Sequence, residues 1–433
     1  MFLSLIASVS AGVLPVDVQT ERLDNGLTIY LAPMDTPGVV SWQVWMDVGS
    51  RNETTNSRGM AHLHMYLASA GSRSMDRDER EQQVLLTGAT DTALAWVDQT
   101  TFSLDVPAEH LPSIIMIEAN RLMYMDYDAA DLEQTAGAVK GAHNRNQANT
   151  ERALSEAHMG AAYAVHPYGH PLLGTAEDID GFDDRIDDVS AWYKTWYRPE
   201  NARIVVVGDF DPQAVLTQLN LTFGVWEPGV EFPTVVQEPE QTATRRVQVD
   251  WDKGPANPRI AVGWGVPGFD PRDPDAATLA VIEELLASEV GPLYQDLVVE
   301  RALVYGVSTE LEEYADMRQF VVNAEVKHVD DLGLVEEAVL AAVADLAEGV
   351  DPETLALLRD SALARFRLSQ DTPFAVAQTI GTFTYGGRDA LAVEAFYRNY
   401  AKVTAEDVSR VVKEYFVAEH MTVASLSAKQ EEE

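Results

Sequence analysis

Two histidines, His62 and His64, stand in the stretch Gly59-Met-Ala-His-Leu-His-Met-Tyr-Leu-Ala-Ser-Ala-Gly-Ser72, where the chain comes nearest to metal chemistry. The stretch predicts a short helix stopped by Gly71. On a helix, two imidazoles at i and i+4 share one face and can hold one zinc ion, with a Glu between them as general base. Here the residue four after His62 is Tyr66, and the one before it is Met65. A thioether takes no proton from water at neutral pH, and a phenol of pKa about 10 is a poor zinc ligand. His64, two residues from His62, points away from it. The frame of a hydrolytic metal helix is present and its chemistry is not.

The elements that must carry this helix alternate between strands and helices. Leu27–Leu31 and the alternating Val39–Val48 predict strands, the second with Ser41, Gln43 and Asp47 on one side. Met75–Leu86 predicts a helix, Thr100–Val106 a strand ending at Pro107, and residues 108–126 and 131–159 long helical segments broken near Asp128. His166-Pro-Tyr-Gly-His-Pro171 predicts a loop. A helix through Val189–Tyr197 then leads into Ala202–Val207, an apolar run suited to a buried strand. Residues 226–246 have the Pro and Glu bias of a linker.

Beyond the linker the order returns: a strand near Arg259–Gly265, a helix near Ala276–Ser288, more strands and long helices, and a final helix and strand over 405–427. The repeat has a measurable period. Leu67-Ala68-Ser69 matches Leu286-Ala287-Ser288, and Val189-Ser190 matches Val408-Ser409, both at a shift of 219 residues. The same shift sets Lys194 on Lys413 and Glu200 on Glu419. The second copy of the metal-like helix, Val281-Ile-Glu-Glu-Leu285, carries no His. These observations predict an α+β protein of two homologous α/β-sandwich domains related by internal repeat. The expected bounds are a possible signal segment or apolar arm over 1–14, domains over 15–225 and 247–433, and a linker over 226–246.

Composition limits the function classes. The chain has 433 residues, 46% hydrophobic and 23% charged, with 69 acidic against 31 basic residues and a formal net charge of −38. Such a balance argues against nucleic acid or an anionic membrane as partner. Cys is absent, which excludes disulfides, thiolate zinc sites and thiol catalysis. The N-terminus has a short apolar run and a Val-Ser-Ala cleavage-like site at Ala11 without a basic n-region. It points to the bacterial periplasm or secretion if it is a signal peptide, and to a soluble cytoplasmic protein otherwise. No later apolar run is long enough to span a membrane. No nucleophile elbow, Walker loop or dinucleotide fingerprint occurs. His158, His166 and His170 surround one loop and are expected to serve structural hydrogen bonding.

The helix frame Gly-x-Ala-His-x-x-Met-Tyr resembles the inverted zinc motif Gly-x-Ala-His-x-x-Glu-His of the pitrilysin/insulinase metallopeptidases. Gly88-Ala-Thr-Asp-Thr-Ala with Asp98-Gln-Thr-Thr-Phe102, His166–Thr175 and Trp196–Asp209 resemble further segments of that family. Leu297-Val-Val-Glu-Arg-Ala-Leu-Val-Tyr305 resembles its Leu-Arg-Glu-x-x-Gly-Leu-x-Tyr stretch. The length matches the two-domain subunit group that includes the mitochondrial processing peptidase. By this resemblance Met65 and Tyr66 replace the general base and the second His ligand. Ala142 stands where the third ligand, a Glu, belongs, so of the key positions only His62 remains. The family's substrate-binding Arg and Tyr map to Val298 and Tyr305; Arg301 lies one turn closer to the Tyr and could partly substitute.

The resemblance implies a non-catalytic homologue without zinc. It would pair with an active zinc-peptidase sister subunit as one half of a clamshell, and extended basic peptides are the expected guests of the chamber. Two alternatives stand beside it. One is a structural or adaptor subunit of a larger assembly; the other is an active zinc peptidase using His62 with His64 or His143.

Overall fold

The computed structural model describes residues 12–229 and 231–429, so most of the expected leader, including Ala11, lies outside the described residues. Each half of the repeat builds one mixed sheet. The first uses β1 (Gln19–Arg22), β2 (Thr28–Pro33), β3 (Val39–Met46), β4 (Thr90–Ala95), β5 (Thr100–Pro107) and β6 (Ala202–Gly208) in the order β1-β2-β6-β3-β5-β4. The second uses β7 (Arg245–Trp251), β8 (Arg259–Val266), β9 (Val304–Glu310), β10 (Arg318–Val326) and β11 (Met421–Ala428) in the order β9-β10-β8-β11-β7. A shift near 219 turns one order into the other apart from the extra edge strand β1. In each sheet a single adjacent pair is parallel, β2 with β6 and β7 with β11, and the remaining pairs are antiparallel. The helices Ile186–Trp196 and Ala405–Tyr415 start and end 219 residues apart.

The chain forms two compact units, and no single cut in the sequence separates them. One unit combines the described residues up to Asn144 with Pro171–Val235 and Phe366–Glu394; the other combines Arg145–His170, Val236–Arg365 and the residues from Ala395 onward. The long helical segment over 131–159 is two helices, Ala129–Asn146 and Thr150–Ala162, the second begun by an Asn149 cap. Thr150–Ala162 packs in the second unit, against β11, β7 and β8. Its repeat partner, Pro373–Phe383, packs in the first unit, against β6 and β3.

In the first unit this cover explains the polar side of β3. Ser41 and Gln43 are fully buried, although alternation alone suggests a solvent face. Gln43 donates to the Phe374 carbonyl and accepts the Trp45 indole N–H at 3.0 Å. Gly381 lets the helix lie directly on the Trp45 ring. Arg203 of β6, buried, fastens the segment: its guanidinium donates to the Gly381 carbonyl (2.6 Å), Thr384 Oγ1 (3.0 Å) and Asp47 (3.1 Å). Asp47 in turn accepts the Gly386 N–H at 3.0 Å. A buried guanidinium is tolerated because these acceptors replace its water.

In the second unit Leu154, Trp251, Ala261, Val321, Ala424 and Leu426 form a cluster under Thr150–Ala162. The helix ends at the Arg245 guanidinium, which donates to the Ala161 and Ala162 carbonyls at 3.1 and 2.6 Å. A cation at the last carbonyls satisfies groups that the helix leaves open. His158 is buried with its ring against Gly263. The following loop is held by Glu238, which accepts the N–H groups of Ala164, Val165 and His166 at 2.7 to 3.0 Å. Those donors hold its carboxyl below the usual range against the opposing effect of burial. His166 accepts the Tyr168 N–H and bonds Asp316 at 3.0 Å.

Candidate functional site

The helix carrying His62 runs over Met60–Leu67, ending four residues before Gly71. Gly71–Ser72 instead pairs with Met75–Asp76 as a short ribbon, and the next helix begins only at Arg77, capped by Asp76 and Glu79. The entry to the His62 helix is built with care. Gly59 sits at φ 82°, and a Cβ there would lie 2.7 Å from the Leu173 carbonyl oxygen. Glu53, almost fully buried, accepts the N–H groups of Gly59 and Ala61, each at 2.9 Å. A carboxylate at this end satisfies two open donors and faces the positive end of the helix dipole. Burial pushes its pKa well up, and the two N–H donors pull the other way. Nothing in the local sequence pattern pointed to Glu53.

Along the helix, the side chains at the metal-motif positions engage their neighbours. Met65 is buried, and its Sδ accepts the Ala95 N–H at 3.1 Å, tying the helix to the end of β4. The Tyr66 ring meets the His62 ring edge-on, with centroids 5.4 Å apart at 68°. Ala142 is buried on Ala129–Asn146. The neighbouring His143 has a buried Nδ1 without a hydrogen-bond partner among the described residues. His64 faces inward, as the two-residue spacing requires. Its Nδ1 lies 2.8 Å from the Met60 carbonyl and its Nε2 2.9 Å from that of Val189, with Tyr197 and Trp192 beside the ring. Desolvation lowers its pKa to about 4.

Next to this helix, β4 is the free edge of the first sheet, with Thr90, Asp91, Thr92 and Leu94 exposed. It is held through Asp91 by an ion network whose other members, Arg80, Glu118 and Arg121, are buried. Arg80 bonds Asp91 at 2.7 Å and Glu118 at 3.4 Å, Glu118 also pairs with Arg121, and the Arg121 guanidinium lies 4.4 Å from the Phe102 ring centroid.

In the second unit Tyr305 stands on β9, exposed, and Val298 is half-buried in the π-helical stretch Tyr294–Glu300. Arg301 is forked onto Asp296, with Nε to Oδ1 at 2.9 Å, so its guanidinium is already engaged.

A zinc ion needs three or four imidazole, thiolate or carboxylate donors. The four motif positions offer one imidazole, a thioether, a phenol and a methyl group, which do not fit. Among the described residues, no group of three His, Cys, Asp or Glu side chains could hold a metal ion.

Comparison with known proteins places the frame. The family model for the insulinase family (peptidase family M16) matches residues 31–176, and the model for the peptidase M16 inactive domain matches residues 185–361. The chain belongs to the insulinase family. Among the family's members it is 23% identical to the zinc protease PqqE of Helicobacter pylori, over 92% of this chain and 90% of that one. It is 24% identical to a probable mitochondrial-processing peptidase subunit beta of Schizosaccharomyces pombe, over 95% and 91%. The fold of a Helicobacter pylori protease superposes with a TM-score of 0.90 at 22% identity, covering 96% of this chain and all of the other. The family thus supplies the α+β halves found here. Among the described residues, no helix is long and apolar enough to cross a membrane.

Proposed function

We propose that this chain is a non-catalytic insulinase-family subunit that binds no zinc, pairs with a zinc-bearing sister subunit, and supplies half of a peptide-binding chamber. The observation that carries the reading is the state of the His62 helix. Its capping by Glu53 and Gly59 is intact, while Met65 is spent on the Ala95 N–H and Tyr66 on the His62 ring. Restoring a ligand set would replace the Met65–Ala95 and Tyr66–His62 contacts.

Peptide binding is supported by the exposed edge β4, whose outer backbone groups can take up an extended chain by strand addition. The strong negative charge favours basic guests. A relative named as one subunit of a processing peptidase supports pairing. The test is purification from the native source followed by reconstitution. The reading expects co-purification with a subunit carrying an intact zinc helix, and a gain in that subunit's peptidase activity when this chain is added. A chain isolated alone that adds nothing to such a sister would sink it, and isolation within an assembly lacking peptidase subunits would favour an adaptor role instead.

A further inference from the structure

A cavity of about 720 Å³ opens in the first unit beside the entry to the His62 helix, with Met60 in its wall. Its volume falls within the roughly 300–1,000 Å³ of small-molecule sites. One wall is the loop from Asn52 to Ser57, and the other is built by the helices Ala176–Asp180 and Ile186–Trp196. Arg185 ties the two walls together: its guanidinium donates to the Asn56 carbonyl and, at 3.0 and 2.9 Å, to Asp188. The Thr54 N–H donates to Ser57 Oγ at 2.8 Å and closes a turn in the loop. A capping box of Thr175 and Asp178 fixes the start of the shorter helix. Walls braced in this way lose little freedom when a ligand enters, which lowers the cost of binding.

The lining mixes acceptors with donors. Glu177, Asp178 and Asp188 offer carboxylates, and no group of these able to hold a metal ion occurs among the described residues. Against them stand Asn56, the Arg185 guanidinium and the Asn52 amide, whose oxygen already accepts the Gly49 N–H at 3.0 Å and so leaves its N–H2 as donor. Trp192 and Trp196 add apolar surface, and Trp196 is held by the Phe232 ring stacked on it at 5.5 Å and 10°. Trp192 is 7% exposed, and its buried indole N–H has no acceptor among the described residues. A ligand made of donors alone would leave the amides, the guanidinium and the indole N–H unmatched. One made of acceptors alone would face three carboxylates of like polarity. A hydroxyl both donates and accepts, and a sugar ring joins several hydroxyls to a C–H face that can lie on an indole.

We propose that this cavity is a binding site for a neutral saccharide, with Glu177 and Asp188 accepting from its hydroxyls, Asn52 and Asn56 donating to them, and the indoles of Trp192 and Trp196 taking its C–H face. The site lies apart from the exposed edge β4 and does not depend on the peptide-binding reading. It assigns the chain a second ligand and no step of bond cleavage.

The experiment is calorimetric titration of the full chain with maltotriose, cellotriose and chitotriose. At least one is expected to bind at a single site with a Kd of about 1 mM or tighter. Glu177→Ala should weaken it about tenfold, the loss of a hydrogen bond to a charged group, and Asn56→Ala about fivefold. Both residues are exposed, so thermal melts should not move. Glu348→Ala, an exposed acid of the other unit, should bind as the wild type does. A neutral ligand is not screened, so binding should hold between about 0.1 and about 0.5 M NaCl. Binding of none of the three at about 10 mM overturns the site. So does binding that survives both Glu177→Ala and Asn56→Ala, that Glu348→Ala weakens equally, or that salt abolishes.

Discussion

Gly381→Ala tests whether the helix Pro373–Phe383 lies on the first sheet as described. A Cβ at Gly381 would sit 2.0 Å from Trp45 Cε2, 2.3 Å from Cζ2 and 2.4 Å from Nε1. Carbon atoms in contact need about 3.5 Å, so helix and indole must separate by about 1.5 Å. The indole cannot swing aside freely, being 5% exposed and bonded to Gln43. Overpacking of this kind costs about 1–3 kcal/mol. Losing the Trp45–Gln43 bond adds about 1 kcal/mol, while the better helix propensity of Ala returns about 1 kcal/mol. The net expectation is destabilisation by about 2 kcal/mol. Gly137→Ala is the control: it lies in Ala129–Asn146 with nothing within 4 Å of its Cβ position, and should gain up to about 1 kcal/mol. Urea melts followed by circular dichroism give both values. A Gly381→Ala protein as stable as the wild type would refute the packing.

Three further outcomes are expected. Ala302→Gly relieves the left-handed backbone and should stabilise by about 0.5–1 kcal/mol in the same melts, a gain that a relaxed φ at 302 would abolish. His64 is held at about 4 against 6.5 in the unfolded chain. Its folded value is depressed, so the unfolded state takes the proton first, and stability present above pH 6.5 is lost as pH falls towards 4. Over that window His64→Gln should flatten the stability profile by about 3 kcal/mol, and a profile parallel to wild type would contradict the buried neutral ring. Asp47→Ala leaves the buried Arg203 guanidinium without its carboxylate and should cost about 3–5 kcal/mol; a loss under 1 kcal/mol in urea melts would show that the pair is not the fastening proposed.

The repeat was readable because the two copies keep a shift of 219 at the helices Ile186–Trp196 and Ala405–Tyr415, whose apolar faces must meet equivalent sheets. The strand Ala202–Gly208, buried throughout, was equally plain from its unbroken apolar run. The membership of Thr150–Ala162 and Pro373–Phe383 was not readable, since periodicity reports that a helix has an apolar face and says nothing about which sheet covers it. For the same reason the polar side of β3 did not reveal its cover, a helix more than three hundred residues away that meets Gln43. At the site, residue chemistry alone marks Met65 and Tyr66 as side chains outside the usual zinc ligand set. The Ala95 bond to Met65 and the Glu53 cap depend on contacts between distant residues, which spacing does not report.

The most direct measurement is elemental analysis of zinc per chain, on protein purified from its native source with neither chelator nor added metal, beside a Met65→Glu, Tyr66→His, Ala142→Glu variant. The account predicts far less than one zinc per native chain and about one in the variant, because a His, His and Glu set makes a three-ligand site. One zinc per native chain would contradict it.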